Sequence, residues 1–218
     1  MNLLLSDPRP EVAALVGDPH PLVERIGSSG VLAVLPVAEA LGAEPVKDAA
    51  SLARFVAGYQ RALLAPEELP AIVRAWGHGS RGEWRELLAL DRELAAGGRL
   101  GNFAAASRTV GRSQLRRLLP LRDARVVRRY WEAAEAGEAA AWHVLVYGLA
   151  LAVFSVPLRP GLLHYAQQTT TGLIASAAGP LRLDEGVQTR LIVDASAGIP
   201  AAVAGAISPS AGGFTVVP

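Results

Sequence analysis

The stretch that decides the fold is AAAWHVLVYGLALAVFSVPL, residues 139–158, which carries no formal charge between Glu138 and Arg159. Twenty uncharged residues are just enough for a helix that crosses a bilayer. The stretch also contains His143, and a histidine that faces lipid is energetically costly. A helix that is apolar on all sides is equally typical of the core of a soluble protein. We therefore predict that residues 139–158 form the central buried helix of a soluble bundle.

Composition sets further bounds on the protein. The chain has 218 residues, of which 51% are hydrophobic, and its 21 basic residues are balanced by 20 acidic ones. A chain of this length and apolar content can bury a sizeable core. There is no cysteine, which excludes thiolate catalysis, cysteine-ligated zinc, iron–sulfur clusters and disulfides. This composition is compatible with a reducing compartment, and we predict a cytoplasmic protein.

Most apolar residues recur with a helical period. On one face of a helix over 48–64 lie Leu52, Phe55, Val56, Tyr59 and Leu63, and Asp48 precedes them as a candidate N-cap. A new helix is predicted from Pro66, then a loop, GHGSRG at 77–82. Further helices are predicted over 83–96, 102–119, 121–136, 138–156, 161–178 and 184–206, with Asn102 and Asp184 as N-caps.

No run alternates with period two for long enough to predict a strand. The best candidate, RLIVDAS at 190–196, has flanks that favour a helix. We predict an all-α, single-domain helical bundle, residues 1–218, of about 8–10 helices, with an extended tail at 207–218.

Sequence motifs for catalysis or metal binding are sparse. The histidines His20, His78, His143 and His164 are not spaced as pairs on one helix face, and His78 is the most ligand-like. GSSG at 27–30 lacks the lysine and hydroxyl that end a phosphate-binding loop, and no GxSxG elbow is present. The acids around 83–93 alternate with arginines, which is typical of a solvated, ion-paired helix face. We predict no catalytic and no metal site, although a helical enzyme with an unrecognised site remains an alternative.

Positive charge is concentrated between Leu94 and Trp131, where nine arginines face a single acid, Asp123. Arg108, Arg112 and Arg116 follow one another at four-residue spacing, which places them on one helix face. Such a face is either solvated or docks an acidic protein surface. Nucleic acid is the least favoured partner, because the net charge is only +1 and aromatic residues are not interleaved with the arginines.

Several motifs taken together resemble the urease accessory protein UreF family. The family's Tyr-Gly is matched by Tyr147-Gly148, its arginine twelve residues later by Arg159, and its following glycine by Gly161. A glutamine of the next helix corresponds to Gln168. Further matches are Ala106-Ser107, Gly111-Arg112 and Leu115-Arg116 at the family's spacing, PVKDAASLARFV at 45–56, and GIPAAVAGAISPSAGG at 198–213. Residues 1–44 lack the family's N-terminal signature.

The resemblance implies an all-α, non-enzymatic scaffold for assembly of the urease nickel centre. It implies a homodimer that binds a UreD/UreH-type accessory protein, a UreG-type GTPase and apo-urease, with no cofactor of its own because the partners handle nickel. Together with the uncompensated arginine face, it predicts that Arg108, Arg112, Arg116, Tyr147, Arg159 and Gln168 contact partners. An all-α regulatory or membrane-associated protein is the alternative.

Overall fold

The computed structural model describes residues 46–97, 104–120 and 124–208. All regular structure within these ranges is helical, which confirms the predicted all-α class. Nine α-helices are present there, together with a π-helical segment, Gln60–Glu68, between α1 and α2. The α-helices are α1 (Ala49–Tyr59), α2 (Leu69–Arg81), α3 (Trp84–Ala96), α4 (Ala104–Leu118), α5 (Arg125–Glu135), α6 (His143–Val153), α7 (Leu158–Ala178), α8 (Glu185–Ser196) and α9 (Ile199–Ile207).

The described chain begins with one continuous helical run, residues 49–81. Asp48 caps its start: the Asp48 carboxylate accepts from the Ser51 backbone N–H at 2.7 Å, and the Ser51 hydroxyl accepts from the Asp48 N–H in return. The predicted break at Pro66 is wrong. Proline has no N–H for the α-helical bond, and the chain accommodates it in the wider π-helical turns instead of ending the helix.

The predicted loop at 77–82 is also wrong. α2 continues through His78 to Arg81, and only Gly82, with φ +70°, ends it in the left-handed conformation that glycine adopts without strain. The glycines that indicated a loop lie inside the helix because α2 packs closely on α6. A Cβ on Gly79 would lie 2.9 Å from that of Ala152.

α6 occupies the centre of the bundle. Every residue from His143 to Leu151 is buried, and α2 packs along one side of the helix while α4 packs on another. The helix is shorter than the predicted 138–156. Residues 139–142 form a non-helical segment that leads into α6 and is held by hydrogen bonds, and we call this segment the approach to α6. The prediction of a buried central helix is confirmed.

Two glycines permit this close packing. A Cβ on Gly148 of α6 would lie 2.5 Å from the Ile72 carbonyl oxygen of α2. A Cβ on Gly111 of α4 would lie 1.9 Å from the Ala141 carbonyl oxygen, a distance that no side chain can occupy. Both glycines belong to the motifs quoted above, so these motifs mark points where two backbones meet.

The C-terminal helices form a more exposed layer. α8, whose N-cap Asp184 accepts from the Val187 N–H as predicted, packs on α7 and α1, and α9 packs on α7 and α2. The predicted single helix over 184–206 is divided at residues 197–198, and Pro200 lies in the first turn of α9. By length and composition alone, one helical run among the described residues, Glu185–Ile207, could cross a membrane.

Candidate interaction surface

The arginines of α4 lie on its outer side, as their spacing predicts. The side chains of Arg108, Arg112 and Arg116 are all exposed, and successive members are rotated by only about 40° around the helix axis. We call these three residues the α4 arginine face. The adjoining side of α4 contains the buried residues Ser107, Gly111 and Leu115, and α4 packs on α5 and α6.

Two members of the α4 arginine face are positioned by contacts within the chain. The Arg108 guanidinium lies 5.3 Å from the ring centre of buried Trp142, close enough for a cation–π contact. Arg112 donates a hydrogen bond to the Ala134 carbonyl oxygen near the end of α5. These contacts fix the direction of both side chains while leaving several of their N–H donors unused.

α5 adds further positive charge beside this face. Arg125, Arg128 and Arg129 are exposed, and Arg129 pairs with Glu132 at 2.8 Å on the same helix. An exposed pair of this kind contributes little to stability. Arg99, Arg122 and Asp123 lie outside the described residues.

The three other residues that the sequence assigned to partner binding do not share one surface with the α4 arginine face. Arg159 and Gln168 are exposed on α7, but nine residues of helix rotate them by about 180° from each other. The main contacts of α7 are with α1, α2, α6, α8 and α9, whereas those of α4 are with α5 and α6.

Tyr147 is buried, with 6% of its surface exposed. Its hydroxyl donates to the Gly161 carbonyl oxygen at 2.9 Å and so ties α6 to the first turn of α7, where Arg159 lies. Burial raises the pKa of Tyr147, so this hydroxyl keeps its proton at neutral pH. The structure therefore gives Tyr147 a role in holding the Arg159 turn.

Tyr147→Phe tests that role. The variant removes one buried hydrogen bond and is expected to lower the free energy of unfolding by about 1 kcal/mol, measured by urea titration. Gln168→Ala, a change at an exposed position, is the control and should stay within about 0.5 kcal/mol of the parent protein. A Tyr147→Phe protein as stable as the parent would show that the bond to Gly161 contributes nothing.

A chain of buried polar groups crosses the core beneath these helices. Tyr59 and Tyr165 both donate to the Glu68 carboxylate, which is fully buried at the end of the π-helical segment. The Tyr165 hydroxyl also lies 2.9 Å from Nε2 of His143, and Nδ1 of His143 lies 2.7 Å from the Ser107 hydroxyl.

The direction of hydrogen-bond donation in this row of buried polar groups is set by the Glu68 carboxylate, which accepts from Tyr165. The proton of Tyr165 is committed to Glu68, so His143 donates from Nε2 to the Tyr165 oxygen. Burial, followed by the nearby Glu68 charge, raises the pKa of Tyr59 and of Tyr165. The sequence contained no indication that Glu68 is buried. It gave no signal for His143 beyond the cost of exposing that residue to lipid.

A second buried carboxylate, Asp91 of α3, holds the approach to α6. It accepts from the Tyr130 hydroxyl at 2.6 Å and from the backbone N–H groups of Ala140 and Ala141 at 2.6 and 2.9 Å. Ala141 has φ +57°, a left-handed conformation that costs energy in a residue other than glycine. The sequence prediction that the acids of 83–93 form a solvated face is wrong for Asp91, which is 1% exposed.

Of the other acids of that segment, Glu83 and Glu93 are at least partly exposed and paired with basic residues, as predicted, and Glu86 is exposed. Glu93 binds Arg74 of α2 through two contacts of 2.6 Å. Glu83 accepts from Arg81 and His78, and these bonds, that of Arg81 first, lower the pKa of Glu83 to about 2. His78 is therefore a buried partner of Glu83 in a helix. Within the described ranges, no three histidine, aspartate or glutamate side chains are grouped so that they could hold a metal ion.

Comparison with known proteins gives one result that bears on identity. No curated protein matches the chain. The UreF family model matches residues 46–189, about two thirds of the 218 residues, and this span runs from the start of α1 into α8. It contains the α4 arginine face and the close-packing glycines Gly111 and Gly148. The chain therefore belongs to the urease accessory protein UreF family.

Proposed function

We propose that this protein is a non-enzymatic scaffold in urease maturation. It recruits the nickel-carrying UreG-type GTPase to a complex of the UreD/UreH-type accessory protein with apo-urease. The observation that carries the proposal is the family match over residues 46–189. UreF proteins are accessory proteins and not enzymes, and this chain acts in the cytoplasm as a homodimer, with nickel held by its partners.

The α4 arginine face supports this role. Arg108, Arg112 and Arg116 present three positive charges on one exposed surface, and the structure pairs none of them with a carboxylate among the described residues. Charges of this kind steer association and specify partners more than they add affinity. At physiological ionic strength such charges act over about 8 Å, so they select a partner surface at short range.

Changing Arg108, Arg112 and Arg116 together to glutamate is expected to slow or abolish assembly and to leave the helical fold intact. Like charges at the interface oppose association. Exposed substitutions typically shift stability by less than about 0.5 kcal/mol, and the lost Arg112–Ala134 hydrogen bond adds about 1 kcal/mol, which a typical domain tolerates. Assembly is measured by co-purification of the tagged protein with the accessory proteins. Function is measured as urease activity in nickel-supplemented cells.

Two control variants sharpen the result. The same three positions changed to lysine keep the charge but lose the paired guanidinium donors, so assembly should fall less than in the glutamate variant. Arg182→Glu with Arg190→Glu changes net charge at exposed positions elsewhere, Arg182 after α7 and Arg190 on α8. If the glutamate variant assembles and activates urease normally, the α4 arginine face is only solvated. If the unmutated protein recovers no partner and its deletion leaves urease active, the proposed function is wrong.

Membrane association is the second candidate, and one observation favours it. The α8–α9 run, Glu185–Ile207, combines a mean hydropathy of 1.4 with only 17% burial over its most apolar window. Its charged residues Arg190 and Asp194 and its break at residues 197–198 oppose a simple span. Fractionation of the full chain, expressed with its partners, separates the candidates: recovery in the membrane pellet that only detergent releases would favour the second.

A further inference from the structure

A groove is lined by residues of α3 and α4 and by residues 137–140. Its volume is about 520 Å³. Three arginines line it, Arg92 from α3 and Arg108 and Arg112 from α4, together with the hydroxyl-bearing residue Thr109. The three arginines come from two helices whose loop lies outside the described residues, so sequence spacing gives no hint that they meet.

The groove carries more positive than negative charge, because three arginines and two acids line it. None of its three arginines forms an ion pair with a described residue. One acid of the wall, Asp91, is buried and already accepts three hydrogen bonds. The other, Glu138, is exposed beside Gly137. An incoming anion would therefore meet three guanidinium groups, and the opposing carboxylate that is exposed to it is that of Glu138.

Two of the arginines are held in place before any ligand arrives. Arg108 stacks over Trp142, whose indole N–H donates to the Asp91 carbonyl oxygen at 3.2 Å. Arg112 is anchored to the Ala134 carbonyl oxygen. Ordering a long side chain costs conformational entropy on binding, so arginines that are already ordered bind more tightly. A guanidinium offers paired N–H donors that match both oxygens of a carboxylate.

We propose that this groove is the docking site for an acidic side chain, aspartate or glutamate, on an extended segment of a partner protein. The groove is large enough for a few residues of such a segment, and Ala95, Ala139 and Ala140 give its walls an apolar surface. Glu138 carries negative charge at the groove, which disfavours a polyanion such as nucleic acid. The inference deepens the proposed function, because it names the contact through which the α4 arginine face would engage its partner.

The test uses the full chain, isotope-labelled, and the side-chain Nε–Hε signals of its arginines in NMR spectra. A capped pentapeptide with one central glutamate is the probe, and its glutamine analogue is the matched control. Signals of Arg92, Arg108 and Arg112 are expected to shift on titration with the glutamate peptide, whereas the signal of Arg116, which is outside the groove, should not. Equal shifts of all exposed arginines, or equal binding of the glutamine peptide, would overturn the proposal.

Variants give an independent measurement. Arg92→Gln and Arg108→Gln are each expected to weaken peptide binding by about tenfold, since each removes charge-assisted hydrogen bonds. Arg116→Gln removes the same charge from the same helix outside the groove and should bind as the parent does. If Arg116→Gln weakens binding as much as Arg92→Gln, the effect is general electrostatics and the groove is not the site. Circular dichroism of each variant confirms that its fold is retained.

Two further outcomes identify the source of the anion and separate this inference from the proposed function. Inorganic phosphate that binds more tightly than the glutamate peptide would overturn the assignment to an acidic protein segment.

Peptide binding is measured without any urease protein. If the groove variants lose the peptide but still assemble with the accessory proteins, the groove does not serve this partner. If peptide binding follows the groove while the unmutated chain recovers no accessory protein, the proposed function fails and the site stands.

Discussion

Leu149→Asp is expected to abolish the folded state. Leu149 is 0% exposed, at the centre of α6 where that helix packs against Gly79 of α2. An aspartate there would be a buried charge without a partner, which costs several kcal/mol, and the contribution of the leucine side chain, about 2 kcal/mol, would also be lost. The sum approaches the whole stability of a typical domain, about 5–15 kcal/mol. Far-UV circular dichroism and gel filtration of the variant should show lost helix or aggregation.

Two substitutions control this experiment. Leu149→Met keeps the volume and apolar character of the side chain and should cost less than about 1.5 kcal/mol. Val193→Asp introduces the same charge at a position that is 64% exposed and should be nearly neutral. A Leu149→Asp protein that keeps its native spectrum would contradict the central position of α6.

Helix identity was predictable wherever one face of a segment is apolar, because the same periodicity that marks the sequence also buries the face. The helix beginning after Asp48 and the all-apolar stretch around His143 are both present. The N-cap residues were equally predictable from the sequence, because Asp48 and Asp184 accept from backbone N–H groups only three residues away.

The predicted helix boundaries were wrong where tertiary packing overrides the local preference of the sequence. Pro66 and the glycines of 77–82 favour breaks in an isolated peptide, yet the helix continues through both. α2 makes its most extensive contact with α6, and Gly79 lies at that contact. Burial against a neighbouring helix thus stabilises a continuous run that local propensity alone would interrupt.

The site was only partly predictable for a related reason. The four-residue spacing of Arg108, Arg112 and Arg116 defines a helix face directly. The groove arginine Arg92 is supplied by another helix, and the burial of Tyr147 depends on the position of α7. Family membership identified which segments matter, but it could not show which of their side chains are exposed.

Asp91→Ala is expected to lower the free energy of unfolding by about 3–5 kcal/mol, because each buried donor left without an acceptor costs about 1–3 kcal/mol. The variant removes the acceptor of the buried Tyr130 hydroxyl, of the buried Ala141 N–H and of the partly buried Ala140 N–H. The left-handed conformation of Ala141 would then lose the bonds that hold it. Urea titration followed by circular dichroism measures the change.

Comparison with two milder variants shows whether the carboxylate or the bulk of Asp91 matters. Asp91→Asn keeps an acceptor oxygen for a backbone N–H, and its amide can donate to the Tyr130 oxygen, so it should cost clearly less than the alanine variant. Tyr130→Phe removes one donor and should cost about 1 kcal/mol. Because Tyr130 bonds directly to Asp91, the double variant Asp91→Ala with Tyr130→Phe should cost less than the sum of the single changes. Strictly additive costs would mean that the two side chains stabilise the fold independently and that the hydrogen bond between them contributes nothing.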